Sequence, residues 1–168
     1  MAGATAHLVV DVAGTACAVP GAAVDEILPL PRLWRPPGGP AALAGFFNLG
    51  GEAVPVLDLA VLFGLARPAD EGGSMPRRMV YRHLLVMAGP MPLALLVDRA
   101  ADLVHVPPEA MTPVTDGATL NGCVAHEIRL GERLLHGLSP ERVLLAEERA
   151  RLDAQTRAAQ ARLAEWAA

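Results

Sequence analysis

The chain contains no lysine; all fourteen of its basic residues are arginine. That absence excludes P-loop phosphate binding and Schiff-base catalysis, both of which need an ε-amino group. Serine occurs only at Ser74 and Ser139, and neither has the Gly-x-Ser-x-Gly setting of a serine hydrolase. Only two cysteines are present, Cys17 and Cys123, far apart in apolar-rich segments. They read as reduced, buried small hydrophobes, with no disulfide framework implied. Positive charge is in deficit: the net charge is −4, so the chain lacks the footprint that neutralises a nucleic-acid backbone. Long apolar runs are missing too. The most apolar stretch, 41–66, is broken by Asn48, Glu52, Asp58 and several Gly and Pro, which forbids a membrane helix and argues against direct membrane insertion. The N-terminus carries no basic leader followed by an apolar run and a cleavage site, so the chain is expected in the cytoplasm.

What is present is a folding chain. Apolar residues make up 52% of its 168 residues and charged residues 19%, enough buried surface for one compact body and too little charge for a disordered segment. Fifteen prolines and sixteen glycines punctuate the body and exclude long helices there. Between them lie short apolar runs at 8–12, 17–19, 53–57, 84–87 and 93–97, which predict a mostly β protein of short strands and tight turns. Residues 67–78, with Pro68, Gly72, Gly73, Ser74 and Pro76, form a polar connector. From Ser139 the pattern turns helical: Ser139 is placed to cap, Pro140 suits a first helical position, and no Gly or Pro follows. Glu147 with Arg151 and Asp153 with Arg157 are favourable i,i+4 pairs, and Leu145, Leu152, Leu163 and Trp166 form a thin apolar stripe expected to pack on the chain's own body.

The two halves of the chain echo one another. His7-Leu8-Val9-Val10 matches His83-Leu84-Leu85-Val86 at an offset of 76, and the same offset brings Val24-Asp25-Glu26-Ile27-Leu28 onto Ala100-Ala101-Asp102-Leu103-Val104. Further on the offset is 81, where Leu49-Gly50-Gly51 meets Leu130-Gly131-Glu132 and Leu57-Asp58-Leu59 meets Leu138-Ser139-Pro140. Order and spacing persist, which indicates an internal duplication with one loop insertion. Two small barrels suit such a sequence better than one flat sheet, because closure removes sheet edges.

Chemistry is sparse. The five histidines, at 7, 83, 105, 126 and 136, never fall at i,i+4, and His126-Glu127 lacks the second histidine of a zinc-protease helix, so neither a metal nor a cofactor is expected. Asp58 and Asp98 stand in or beside apolar strands. Acid–base work would require them to converge with a histidine, as in a small metal-dependent hydrolase, whereas satisfying backbone N–H groups or pairing with an arginine requires only their local setting. Arg77, Arg78 and Arg82 around Tyr81 read as a solvated basic face. A groove between two similar lobes would suit an amphipathic partner helix, so binding fits these residues better than catalysis.

The stretch Gly45-Phe46-Phe47-Asn48-Leu49-Gly50-Gly51-Glu52-Ala53-Val54-Pro55-Val56-Leu57-Asp58-Leu59 resembles the signature Gly-x-x-Asn-Leu-Arg-Gly-x-x-Val-Pro-x-x-Asp-Leu of the CheW family of chemotaxis coupling proteins. Val24-Asp25-Glu26-Ile27 and Val97-Asp98 are similar to two further segments of that family, and the likeness runs from about residue 8 to 145. It implies a 1–145 domain of two intertwined SH3-like five-stranded barrels about a pseudo-twofold axis, followed by a C-terminal helical extension, 146–168. It also implies a non-catalytic adaptor in receptor arrays at the inner membrane. Such an adaptor joins the cytoplasmic tips of chemoreceptors to the regulatory domain of the histidine kinase CheA. By the same resemblance Val24, Glu26, Gly45, Asn48 and Gly50 face the receptor, and strands of the first lobe meet the kinase. One position departs: where the family has Arg, this chain has Gly50, which removes a charged, multidentate donor. That leaves open a divergent receptor, an array serving another process such as twitching motility, or an adaptor that binds kinase alone.

Overall fold

The computed structural model describes residues 3–65, 82–115, 119–144 and 146–167; the connector at 67–78, the Arg77/Arg78/Tyr81 cluster and Leu145 lie outside the described residues. Among the described residues, eleven strands form two sheets. In chain order they are β1 (Thr5–Val12), β2 (Thr15–Pro20), β3 (Val24–Pro29), β4 (Leu43–Leu49), β5 (Glu52–Asp58), β6 (His83–Met87), β7 (Ala94–Val97), β8 (Arg99–Val106), β9 (Met111–Pro113), β10 (Val124–Leu130) and β11 (Arg133–Leu138). A one-turn helix α1 (Leu59–Leu62) follows β5, and a 21-residue helix α2 (Ala146–Trp166) follows β11.

The first sheet runs β8-β1-β2-β11-β10-β9 and the second β3-β6-β7-β5-β4. Each sheet therefore takes strands from both halves of the chain. Substituting β6 for β1, β7 for β2, β3 for β8, β5 for β11 and β4 for β10 turns the first order into the second. The register repeats as well. A bulge skips Asp25 where β3 meets β6 and Ala101 where β8 meets β1, an offset of 76 (101 − 25). A second bulge skips Ala44 between β4 and β5 and Ala125 between β10 and β11, an offset of 81 (125 − 44). The parallel contacts Ala18↔Gly137 and Ala94↔Val56 obey both offsets at once (94 − 18 and 137 − 56). Bulges fix where a strand bends and which face each side chain takes, so their recurrence ties the sequence repeat to a repeated three-dimensional unit. The first sheet has six strands where five were expected. The addition is β9, three residues long, and its counterpart in the second sheet is reduced to the single bridge Trp34↔Phe46.

Side-chain alternation sorts the apolar residues into three clusters. Val9, Ala18, Val106, Ile128 and Leu135 cluster on one face of the first sheet and fill it. Phe47, Val54, Val56, Leu84, Val86, Ala94 and Leu96 fill one face of the second, joined by Leu28 of β3 and Leu49 of β4 from its two edge strands. The intervening residues, among them Leu8, Val10, Val12, Cys17, Val19, Phe46, Leu57, Leu85, Leu95 and Val97, form the largest cluster between the lobes. Strands at this junction are buried on both faces, which is why β5, β6 and β7 read as near-continuous apolar runs.

Much of the inter-lobe region expected to offer a groove is packed by the chain's own side chains, with a cleft left open between Met87, Leu93 and Leu95 on one side and Pro140, Leu144 and Leu152 on the other. Leu152 and Ala159 of α2 are buried in the same cluster and Leu163 packs against it. Trp166, expected in this stripe, is 88% exposed. The helix also starts later than its sequence signal: Ser139 and Pro140 open a turn of 3-10 helix, Pro140–Arg142, in which the Ser139 side chain makes no capping bond, and α2 begins at Ala146. Ser139 N–H is used by the fold, donating to the Cys123 carbonyl at 2.8 Å. The Glu147 side chain is not among those described.

Candidate functional site

The β4–β5 hairpin turns through Gly50 and Gly51, with φ +60° and +91°. Two consecutive left-handed residues define the tight hairpin turn whose twist matches its strands, and glycine adopts them without penalty. Asn48 is exposed at the end of β4, and its Oδ1 accepts a hydrogen bond from Gly51 N–H at 2.8 Å. A Cβ on Gly50 would meet nothing within 4 Å, so the turn projects into open space. The corresponding turn of the other repeat uses Gly131, also at φ +60°, followed by Glu132.

Gly45 is buried in β4 at φ +149°. A Cβ there would lie 2.7 Å from the Trp34 carbonyl oxygen. That carbonyl accepts from Phe46 N–H at 2.7 Å, Trp34 N–H donates back to the Phe46 carbonyl at 2.9 Å, and the two rings stack at 6.1 Å. Gly45 is thus required by the close approach of two backbones.

Register relates these residues to β3. Glu26 pairs with Val86, Val86 with Ala94, Ala94 with Val56 and Val56 with Gly45, one row that crosses the second sheet from edge to edge. Val24 and the hairpin tip lie on the same side of that row. Of the five residues singled out by resemblance, Glu26, Asn48 and Gly50 are exposed, Val24 is half-buried against the inter-lobe core, and Gly45 is buried. Sequence reasoning did not single out Ile27, whose side chain is 43% exposed on β3; its repeat counterpart Leu103 on β8 is 59% exposed. The offset of 76 that pairs these positions was already visible in the sequence.

The other candidate groups serve the fold. Asp58 caps α1, its Oδ1 accepting from Ala60 N–H at 3.0 Å and Val61 N–H at 3.4 Å. Asp98 accepts from Ala13 N–H at 2.7 Å, in the β1–β2 turn, and lies 3.7 Å from the Arg82 guanidinium. Among the described residues, no three of His, Cys, Asp and Glu converge on a metal-sized site. His83 Nδ1 accepts from Ala100 N–H at 3.3 Å, and His7 is buried with Nδ1 3.1 Å from the Thr5 carbonyl. Burial first, and the Asp11 carboxylate second, push the Cys17 thiol up to about 12. Burial also raises Cys123, with Glu148 adding to the shift and Arg142 opposing it, and its thiol donates to the Arg142 carbonyl at 3.3 Å. Among the described residues no helix is long and apolar enough to cross a membrane.

The CheW-like domain family matches residues 6–148, from the first strand to the start of α2. The chain belongs to this family. A probable chemotaxis protein CheW of Rhizobium etli is 32% identical over 91 residues, covering 51% of this chain. Those residues are 53% of that relative, so the match spans about half of its length. The scaffolding protein TtCheW from Thermoanaerobacter tengcongensis has the same fold, with a TM-score of 0.70 at 17% identity over 81% of this chain and 89% of that one. The family match takes in both sheets, while α2 lies almost wholly beyond it.

Proposed function

We propose that the chain is a non-catalytic coupling adaptor that links chemoreceptor cytoplasmic tips to the regulatory domain of the kinase CheA. The observation that carries this reading is the β4–β5 hairpin of a CheW-like chain, exposed at its tip and anchored in a sheet buried on both faces. Recognition surfaces held on rigid elements lose little entropy on binding. Glu26, Asn48 and Gly50 would make the receptor contact. Gly45 and Val24 would support it from beneath, and strands of the first lobe would remain for the kinase. The relatives, a probable chemotaxis protein and a scaffolding protein, agree with an adaptor. So does the structural employment of Asp58 and Asp98.

The test is binding of the purified chain to a CheA regulatory domain and, separately, to a receptor signalling-tip fragment, with Gly50→Arg beside the wild type. Binding of the wild type to both is the expected outcome, and binding to neither contradicts the proposal. The bare turn at Gly50 favours a second reading, an adaptor for kinase alone or for another array such as twitching motility. That reading predicts kinase binding by both proteins and tip binding only by Gly50→Arg.

A further inference from the structure

The parallel pairing of β5 with β7 begins at Val56, opposite the first residue of β7. The preceding part of β5, Glu52 to Pro55, has β4 on one side and, among the described residues, no strand on the other. Around a two-residue turn the closing pair Leu49↔Glu52 is hydrogen-bonded, and the ladder then alternates, so the main-chain groups of Ala53 and Pro55 face away from β4. Proline has no N–H to orphan there, which accounts for Pro55 in an otherwise interior strand. Ala53 does have one, and the residue is fully buried.

Gln160 of α2 supplies the missing partner. Its Oε1 accepts from Ala53 N–H at 2.7 Å and its Nε2 donates to the Gly51 carbonyl at 3.1 Å. One side-chain amide thereby bonds to the backbone at two points, one in the turn and one in the strand. The helix holding it is fixed by Leu152, Ala159 and Leu163, and Thr156 Oγ1 bonds back to the Leu152 carbonyl at 2.8 Å. Gln160 lies twelve residues beyond the end of the family match. The contact is therefore made by the extension and received by the family's signature hairpin.

We infer that Gln160 is a positioning residue: α2 uses it to hold the Gly50–Gly51 turn in one geometry, so the extension sets how strongly the hairpin engages its partner. This rests on the reading of the hairpin as the receptor-facing element. A two-glycine turn has unusual backbone freedom when unrestrained, and a partner contact at its tip loses affinity in proportion to that freedom.

The experiment compares wild type, Gln160→Ala and Gln160→Glu in the full chain, by amide hydrogen exchange and by binding to a receptor-tip fragment and a CheA regulatory domain. Gln160→Ala is expected to exchange the Ala53 amide about tenfold faster or more, and to bind the tip about tenfold more weakly with kinase-domain binding unchanged. Gln160→Glu keeps an acceptor for Ala53 but no donor for Gly51, so it should retain Ala53 protection and still weaken tip binding. Equal tip binding by wild type and both variants would overturn the inference, as would parallel losses for tip and kinase domain. Were the wild type to bind no tip at all, the proposed function would fail first. Ala53 exchange would then judge the clasp alone: faster in Gln160→Ala supports it and unchanged overturns it.

Discussion

Replacing Gly45 by alanine separates a glycine required by structure from one that is merely tolerated. Alanine would bring two costs. The backbone at φ +149° lies where L side chains are strained, at about 1–3 kcal/mol. The new Cβ would stand 2.7 Å from the Trp34 carbonyl oxygen, whose retreat would break the paired Trp34–Phe46 hydrogen bonds. Overpacking of this kind costs about 1–3 kcal/mol. Reduced freedom of the unfolded chain offsets about 0.4–1 kcal/mol. The central expectation is a loss of about 3 kcal/mol, or a fall in Tm of about 6–12 °C for a chain of this size. Gly50→Ala is the control. Its φ of +60° carries about 1–2 kcal/mol of left-handed strain, its Cβ meets nothing, and the same entropic offset leaves roughly 1 kcal/mol or less. Urea unfolding followed by circular dichroism measures both. A Gly45→Ala loss no larger than that of Gly50→Ala would refute the close-approach argument and free Gly45 for a direct contact role.

Three further outcomes follow from the same geometry. Cys17 should resist a thiol reagent in the native chain at pH 8 and react on unfolding. The native state holds the protonated thiol more tightly than the unfolded state. The linked stability is therefore fully present below pH 9.0 and is lost as pH rises toward about 12, which urea midpoints for wild type and Cys17→Ala across that range would detect. Asp58→Ala removes the cap of α1 and should cost at least about 1 kcal/mol in urea unfolding, with Asp58→Asn retaining part of it. Gly50→Arg should fold with a loss of roughly 1 kcal/mol or less, since left-handed strain alone opposes it and the same entropic offset applies; failure to express as folded protein would contradict the open turn.

Much of this architecture is legible in the sequence because a duplication leaves its offsets there. The values 76 and 81 recur in the bulges, turns and parallel contacts. What the offsets do not encode is pairing. Two equivalent strand sets could close separately or exchange members, and only the observed ladders show that β3 joins the second sheet and β8 the first. The covering elements were hidden for a related reason: an unbroken apolar run such as that of β6 signals burial on both faces without saying which elements cover them. The helical signal at Ser139 misled because Ser139 and Pro140 suit a 3-10 turn as well as an α-helix. At the site, Asn48 and Gly50 were singled out by the family resemblance. Gln160 was not, because its partners stand 107 and 109 residues away and no local pattern marks a side chain that completes a distant strand.

The most direct test of the adaptor account is a reconstituted kinase assay with CheA, receptor signalling-tip assemblies and this chain, measuring phosphorylation with each component omitted in turn. The account predicts that receptors alter CheA activity only when the chain is present, and that the chain alone has no such effect. Receptor control of the kinase that is equal with and without the chain would contradict it.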